Sequence, residues 1–144
     1  MIAVDTNILL YAHRADCPQH DTALVAVTDL AEGEPVWGVP VFVIAEFLRV
    51  ATHRKVFEPP SSLEAALAAL GAILASPSAR VLMPGDRFVP LLREVTLGSG
   101  AVGNRIHDAS IAAVCLEWGV SALLTEDRDF ERFDGIRVQR LRSA

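Results

Sequence analysis

Four acidic residues stand out among the 18 aspartates and glutamates of this 144-residue sequence because of where they occur. Asp5 ends a short apolar run at the start of the sequence, and Asp127 follows a second apolar run near its end. Asp108 begins an apolar helical pattern after a glycine-rich segment, and Glu46 interrupts an almost wholly apolar segment. A buried carboxylate is costly unless it is paired or binds a metal. These placements indicate a candidate acidic site.

The residue types also indicate which chemistry such a site would support. Oxygen-donor acids without a cluster of histidines or cysteines favour Mg²⁺ or Mn²⁺ over zinc. Cations of this kind hold a phosphodiester, lower the pKa of a bound water and stabilise the leaving oxygen. No phosphate-binding glycine loop or serine-hydrolase motif competes with this interpretation. His13 and His107 are weaker candidates as general bases, since a metal-bound water needs no nearby imidazole.

Each acid taken alone also has a structural explanation. Asp5 could cap the helix that follows it, and Asp108 could be favoured by the dipole at a helix N-terminus. Asp127 could be an ordinary turn residue. Glu46 could lie on the outer face of an amphipathic helix, paired with Arg49. The four acids would form a functional site only if the fold brings them close together.

An alternation of strands and helices would bring the acids together. Ligands bind beyond the carboxyl ends of the strands in open α/β sheets, which is where Asp5 and Asp127 are expected. The pattern predicts one α/β domain over residues 1–144, with a mostly parallel sheet covered on both faces. Strands are predicted at 2–4, 36–39, 80–83, 121–124 and 136–141. Helices are predicted at 8–12, 22–30, 41 to 50 or 53, 63–75, 86–97 and 104–118, with a helical turn at 129–133. Pro40 is expected in the first turn of the third helix, and the leucines at helical spacing in the fourth helix are expected to pack. Asp86 is expected to cap the fifth helix, which a glycine-rich loop over 98–103 follows.

Composition narrows the class of protein. The net charge of −5 argues against a broad basic face that coats nucleic acid, although two divalent ions would balance four clustered acids. Two cysteines without a metal-binding spacing favour a reduced setting, with Cys115 as a small core residue. No signal-peptide pattern or apolar run of membrane-spanning length is evident. We therefore expect a cytoplasmic protein.

Four motifs occur in a fixed order along the sequence. They are Val4-Asp5-Thr6-Asn7, a helical Glu46, Arg105-Ile106-His107-Asp108-Ala109 and Leu124-Thr125-Glu126-Asp127-Arg128-Asp129-Phe130. With these motifs the sequence resembles a known family, the PIN-domain nucleases, and among them the VapC toxins of bacterial toxin–antitoxin modules. D-T-N alone is a weak signal, but the ordered set covers essentially the whole chain at typical spacing.

The resemblance implies a three-layer α/β/α fold and Mg²⁺- or Mn²⁺-dependent cleavage of RNA. It implies Asp5, Glu46 and Asp108 as core metal ligands and Asp127 as a more variable fourth acid. Asn7 and Thr125 match positions that orient the acids or water through hydrogen bonds. Asp129 matches a structural position that would cap the turn before Phe130. The resemblance also implies a homodimer that a VapB-like antitoxin silences.

Basic residues near the acids in sequence give a weaker indication of RNA binding. Arg14, Arg105 and Arg128 could contact phosphates, although solvated surface charge is the commoner role. The alternatives are a housekeeping PIN nuclease of RNA processing, which a short upstream antitoxin-like gene would disfavour, and a non-catalytic PIN module, which the intact acids disfavour. A receiver-like signalling domain would need a paired acid near Asp5 and a lysine near the last strand, whereas the sole lysine is Lys55.

Overall fold

A computed structural model describes residues 1–142 and shows an all-parallel sheet of five strands in the order β3-β2-β1-β4-β5. The strands are β1 (Ile2–Val4), β2 (Trp37–Pro40), β3 (Ala79–Leu82), β4 (Ala122–Leu124) and β5 (Val138–Gln139). The helices are α1 (Thr6–His13), α2 (His20–Glu32), α3 (Val41–Ala51), α4 (Leu63–Leu74), α5 (Phe88–Ser99) and α6 (Arg105–Glu117), and a short 3-10 helix spans Arg128–Arg132.

The helices cover both faces of the sheet, which confirms the predicted three-layer α/β/α fold. Right-handed crossovers place α1 to α4 on one face, because β1, β2 and β3 follow one another in the same direction. The chain then returns across the sheet through α5 and α6, which pack on each other over the other face. The prediction of one domain over residues 1–144 stays a prediction.

The pairing of β1 with β4 determines where two of the acids lie, because Asp5 and Asp127 follow these strands. β1 and β4 are parallel neighbours, with Val4 opposite Leu124. Both residues are buried, and the backbone N–H of Asp5 donates a hydrogen bond to the carbonyl of Leu124 at 3.0 Å. The residues that follow these two strands therefore emerge side by side at the carboxyl edge of the sheet.

The start of α5 corrects one prediction. Asp86 does not cap this helix, which begins at Phe88 without a side-chain cap from its own segment. Instead the Glu117 carboxylate accepts hydrogen bonds from the backbone N–H groups of Gly85 at 2.7 Å and Arg87 at 2.9 Å. A distant side chain thus does what the local pattern assigned to Asp86. The end of α5 also differs, because the predicted loop at 98–103 begins only at Gly100, whose φ of 70° ends the helix.

The leucine stripe predicted to pack along α4 is only half buried. Leu70 is 6% exposed, whereas Leu63 and Leu67 are 54% and 47% exposed. The helix packs chiefly against α3, so one narrow strip of its surface is covered. Pro40, predicted in the first turn of α3, is instead the last residue of β2 and pairs with Leu82.

The remaining elements lie within a few residues of their predicted bounds. Cys115 is fully buried in the core, as predicted. Among residues 1–142, no helix is long and apolar enough to cross a membrane.

Candidate active site

Asp5 sits where β1 gives way to α1, and its carboxylate is held by three donors. Oδ1 accepts a hydrogen bond from the backbone N–H of Thr6 at 2.7 Å, which makes Asp5 the N-cap of α1. Oδ2 accepts from the Thr125 hydroxyl at 2.7 Å and from the Asn7 side-chain amide at 3.3 Å. Asn7 and Thr125, predicted to orient the acids or water, thus both contact Asp5. The capping and metal-binding interpretations of Asp5 are compatible, because Oδ1 accepts only one of these hydrogen bonds and keeps a second lone pair for a cation.

Burial dominates the electrostatics of Asp5. The residue is 5% exposed, and loss of solvation raises its pKa from 3.8 to about 6. The hydrogen bonds from Thr125 and Thr6 oppose this shift, whereas the negative charges of Glu46 and Asp108 add to it. Asp5 is therefore a carboxylate whose charge is disfavoured by its surroundings and would be favoured by a bound cation.

Glu46 lies on α3 and faces α6 across the carboxyl edge of the sheet. Its Oε2 is 2.8 Å from Nε2 of His107 and 3.8 Å from a guanidinium nitrogen of Arg49. The His107 ring does not align an N–H with that oxygen, so the short contact is electrostatic and not a well-formed hydrogen bond. Burial opposes ionisation of Glu46, but His107, the Thr6 hydroxyl and Arg49 outweigh it and lower its pKa. The same contact with Glu46 raises the pKa of His107.

Asp108 lies in the first turn of α6, as predicted, and is half-buried. Burial raises its pKa from 3.8 to about 6, and the charge of Asp127 is the next largest cause. Glu46 and Asp129 add to the shift, while His107 opposes it. The four acids that the sequence singled out are therefore close enough to act on one another electrostatically.

Asp127 follows β4 and caps the 3-10 helix. Its Oδ1 accepts a hydrogen bond from the backbone N–H of Asp129 at 2.9 Å, while its own N–H donates to the Thr125 hydroxyl at 3.0 Å. The prediction that Asp129 caps this turn is wrong, because Asp127 supplies the side chain and Asp129 the N–H. The shared Thr125 hydroxyl links Asp127 directly to Asp5.

Glu126 fixes the same loop from its other side, a role that sequence patterns did not indicate. Its backbone N–H lies 3.4 Å from the side-chain oxygen of Asn7. Its carboxylate accepts from the N–H of Leu141 at 2.7 Å and from Arg140 at 3.1 Å. The loop that carries Asp127 is thereby tied both to α1 and to the segment after β5.

The four acids lie near the same edge of the sheet, but they are not arranged as a preformed metal site. Within residues 1–142, no group of three or more acidic, histidine or cysteine side chains is arranged to hold an ion. Glu46 contacts His107 instead.

The residues present nevertheless fit a hard divalent cation. Carboxylate oxygens are the ligands that such ions prefer, and they come here from β1, α3, α6 and the loop after β4. Thr6 is 4% exposed, and within residues 1–142 its hydroxyl is close enough to Glu46 to lower the pKa of that acid but has no well-formed hydrogen bond. A buried polar atom of this kind suits an ordered water in the coordination sphere of an ion.

The three arginines predicted to contact RNA lie in different surroundings. Arg14 forms an ion pair with Asp16 at 2.6 Å and lies over the ring of Phe57, at the end of α1 away from Asp5. Arg105 and Arg128 are exposed, and Arg105 borders a small cavity that also touches Asp108. Their contact with RNA stays a prediction.

Comparison with known proteins identifies related sequences along almost the whole chain. The family model described as PIN domain matches residues 2–136. Ribonuclease VapC43 of Mycobacterium tuberculosis is 41% identical over 137 residues, which cover 95% of this chain and 92% of that protein. Ribonuclease VapC31 of the same species is 39% identical over 95% of this chain and 96% of its own length.

Solved structures show the same fold at lower identity. VapC20 of Mycobacterium tuberculosis, described as a sarcin-ricin loop cleaving toxin, matches with a TM-score of 0.68 and 24% identity, over 95% of this chain and 99% of that one. VapBC2 of Rickettsia felis, bound to a promoter DNA fragment, matches with a TM-score of 0.69 and 20% identity, over 97% and 98% of the two chains.

Proposed function

This chain belongs to the PIN-domain family, among the VapC ribonucleases, and we propose that it is a metal-dependent endoribonuclease in which Asp5, Glu46 and Asp108 hold the metal. Asp127 completes the acidic site. The observation that carries the proposal is the raised pKa of two acids, Asp5 and Asp108, from different elements that meet at one edge of the sheet. Buried acids that also repel one another indicate a place for a cation.

The metal is Mg²⁺ or Mn²⁺, because the proposed ligands are all carboxylates. When bound, the cation supplies an activated water and stabilises charge on the phosphate. Asp5 keeps its position through Thr125 and Asn7, which orient its carboxylate. The 2.8 Å contact with His107 favours the ionised form of Glu46, which is the form that binds a cation.

The biological setting follows from the VapC relatives. We propose that this protein is the toxin of a type II toxin–antitoxin system, with RNA as substrate and a VapB-like antitoxin as partner. It acts in the cytoplasm and as a homodimer. The names of its relatives favour this role over housekeeping RNA processing.

RNA cleavage by the purified protein tests the proposal. Total RNA should be cut with Mg²⁺ or Mn²⁺ and left intact with EDTA. Asp5→Asn should lower cleavage more than about 100-fold, because it removes a charged ligand from the metal site. Asp134→Asn, at an exposed position, should leave cleavage unchanged. Full cleavage with EDTA or by Asp5→Asn would refute the metal mechanism.

A further inference from the structure

The cavity beside Glu46 and Asp108 has room for more than a metal ion. Its volume is about 780 Å³, within the range of pockets that bind small organic ligands. Residues of α3 line one wall, and the start of α6 with the preceding loop lines the other. A nucleotide beside the metal site can therefore enter this cavity.

Arg49 is the permanent cation in the wall of this cavity, as far as the described residues show. Its side chain is 65% exposed. Its one ion pair in the described part of the chain is the contact with Glu46, whose 3.8 Å separation is long for a hydrogen bond. An exposed pair of this kind contributes little stability, so the guanidinium is available to another anion.

Two arginines with close ion pairs show what Arg49 lacks. Arg14 is 12% exposed and lies 2.6 Å from Asp16. Arg140 lies 3.1 Å from Glu126 and fixes the loop beside it. Both have a carboxylate at close range, and neither lines the cavity. Arg49 therefore differs from them in contact, exposure and position.

The position of Arg49 on α3 determines which part of an RNA strand it can contact. It follows Glu46 by three residues, which puts the two side chains on the same face of α3 about one turn apart. If Glu46 holds the metal at the scissile phosphate, Arg49 faces the next part of the RNA strand. Its planar guanidinium can donate two parallel hydrogen bonds to a phosphate.

We infer that Arg49 binds the RNA phosphate next to the one that is cleaved, and this inference rests on the proposed ribonuclease function. It makes Arg49 a substrate-binding residue and not only the partner of Glu46. The alternative is that Arg49 acts through Glu46 alone, by adjusting the position or charge of that metal ligand.

Binding of a fluorescent single-stranded RNA of mixed sequence tests this inference. The Asp5→Asn background keeps the RNA uncut, and Arg49→Gln in that background should weaken binding about tenfold. The slope of log affinity against log salt concentration should become shallower by about 0.7, as expected for one lost phosphate contact. Arg49→Lys should keep the salt slope but recover only part of the affinity, because it lacks the planar fork.

Arg93→Gln is the matched control, because it removes an exposed arginine from the middle of α5, away from the cavity. It should change neither affinity nor salt slope. Equal effects of Arg49→Gln and Arg93→Gln would overturn the inference.

A Mn²⁺ titration separates the two roles of Arg49. Arg49→Gln alone should bind Mn²⁺ at least as tightly as the wild type, because it removes a positive charge near the site. Weaker Mn²⁺ binding in step with weaker RNA binding would show that Arg49 acts through Glu46, and would overturn the inference. If the proposed function fails, the wild type will not cut RNA with any divalent ion, whereas the binding assay still reports on Arg49.

Discussion

The two ends of α6 each carry a carboxylate, and their surroundings are opposite in kind. Asp108, in the first turn, is close to other acids, and burial raises its pKa to about 6. Glu117, the last residue, accepts two backbone hydrogen bonds from the segment that precedes α5. The helix dipole alone predicts the reverse, since it favours a negative charge at the N-terminus and disfavours one at the C-terminus.

The difference separates a carboxylate that stabilises the fold from one that is suited to bind a ligand. Within residues 1–142, Glu117 accepts from two N–H groups just before α5 that have no other partner, which is a capping role. Asp108 lies at the helix end that favours a negative charge, yet burial and the nearby acids make its ionisation costly. A carboxylate whose ionisation is disfavoured by the fold is better explained by binding of a cation than by a contribution to stability.

RNA cleavage gives the largest expected contrast between the two acids. Asp108→Asn should lower metal-dependent cleavage more than about 100-fold, because it removes a charged ligand without changing side-chain size. Glu117→Gln, the same change at the other end of the helix, should keep cleavage within about twofold of the wild type, since its contacts are structural. Similar losses in both variants would remove the functional distinction.

Thermal unfolding in EDTA should distinguish the two variants less strongly than cleavage does. Here Asp108→Asn should be the more stable variant and Glu117→Gln the less stable one. Because the folded pKa of Asp108 is raised from 3.8 to about 6, the folded state binds more protons in that interval, and stability falls as pH rises through it. Asp108→Asn removes this loss and should raise the melting temperature at pH 7, but not near pH 4. Glu117→Gln should lower it by losing one hydrogen bond, worth about 1 kcal/mol.

The opposite change in melting temperature would contradict the distinction between Asp108 and Glu117. A lower melting temperature for Asp108→Asn at pH 7 without metal would show that Asp108 stabilises the fold like Glu117. The comparison at two pH values also guards against a general packing effect, which would not depend on pH.

Much of the fold and the position of the acids could be predicted from sequence because the signals are local. Short apolar runs indicated the strands, and the rule that sites lie beyond strand ends put Asp5 and Asp127 at one edge. The motif resemblance supplied Asn7 and Thr125, and the structure places both in contact with Asp5.

The features that were missed depend on how distant elements approach one another. His107 meets Glu46 only because α3 and α6, from opposite faces of the sheet, come together at its edge. Glu117 replaces Asp86 as the cap of α5 across about thirty residues of sequence. Local spacing does not encode such approaches, so most of the elements and the positions of the acids along them could be predicted, whereas these contacts could not.

Calorimetric titration of Mn²⁺ into the metal-free protein tests most directly whether the acids share a metal site. The wild type and Glu117→Gln should bind with the same affinity, and Asp108→Asn should bind more than about tenfold more weakly. Equal Mn²⁺ affinity in the wild type and Asp108→Asn would contradict the assignment of Asp108 to the metal site.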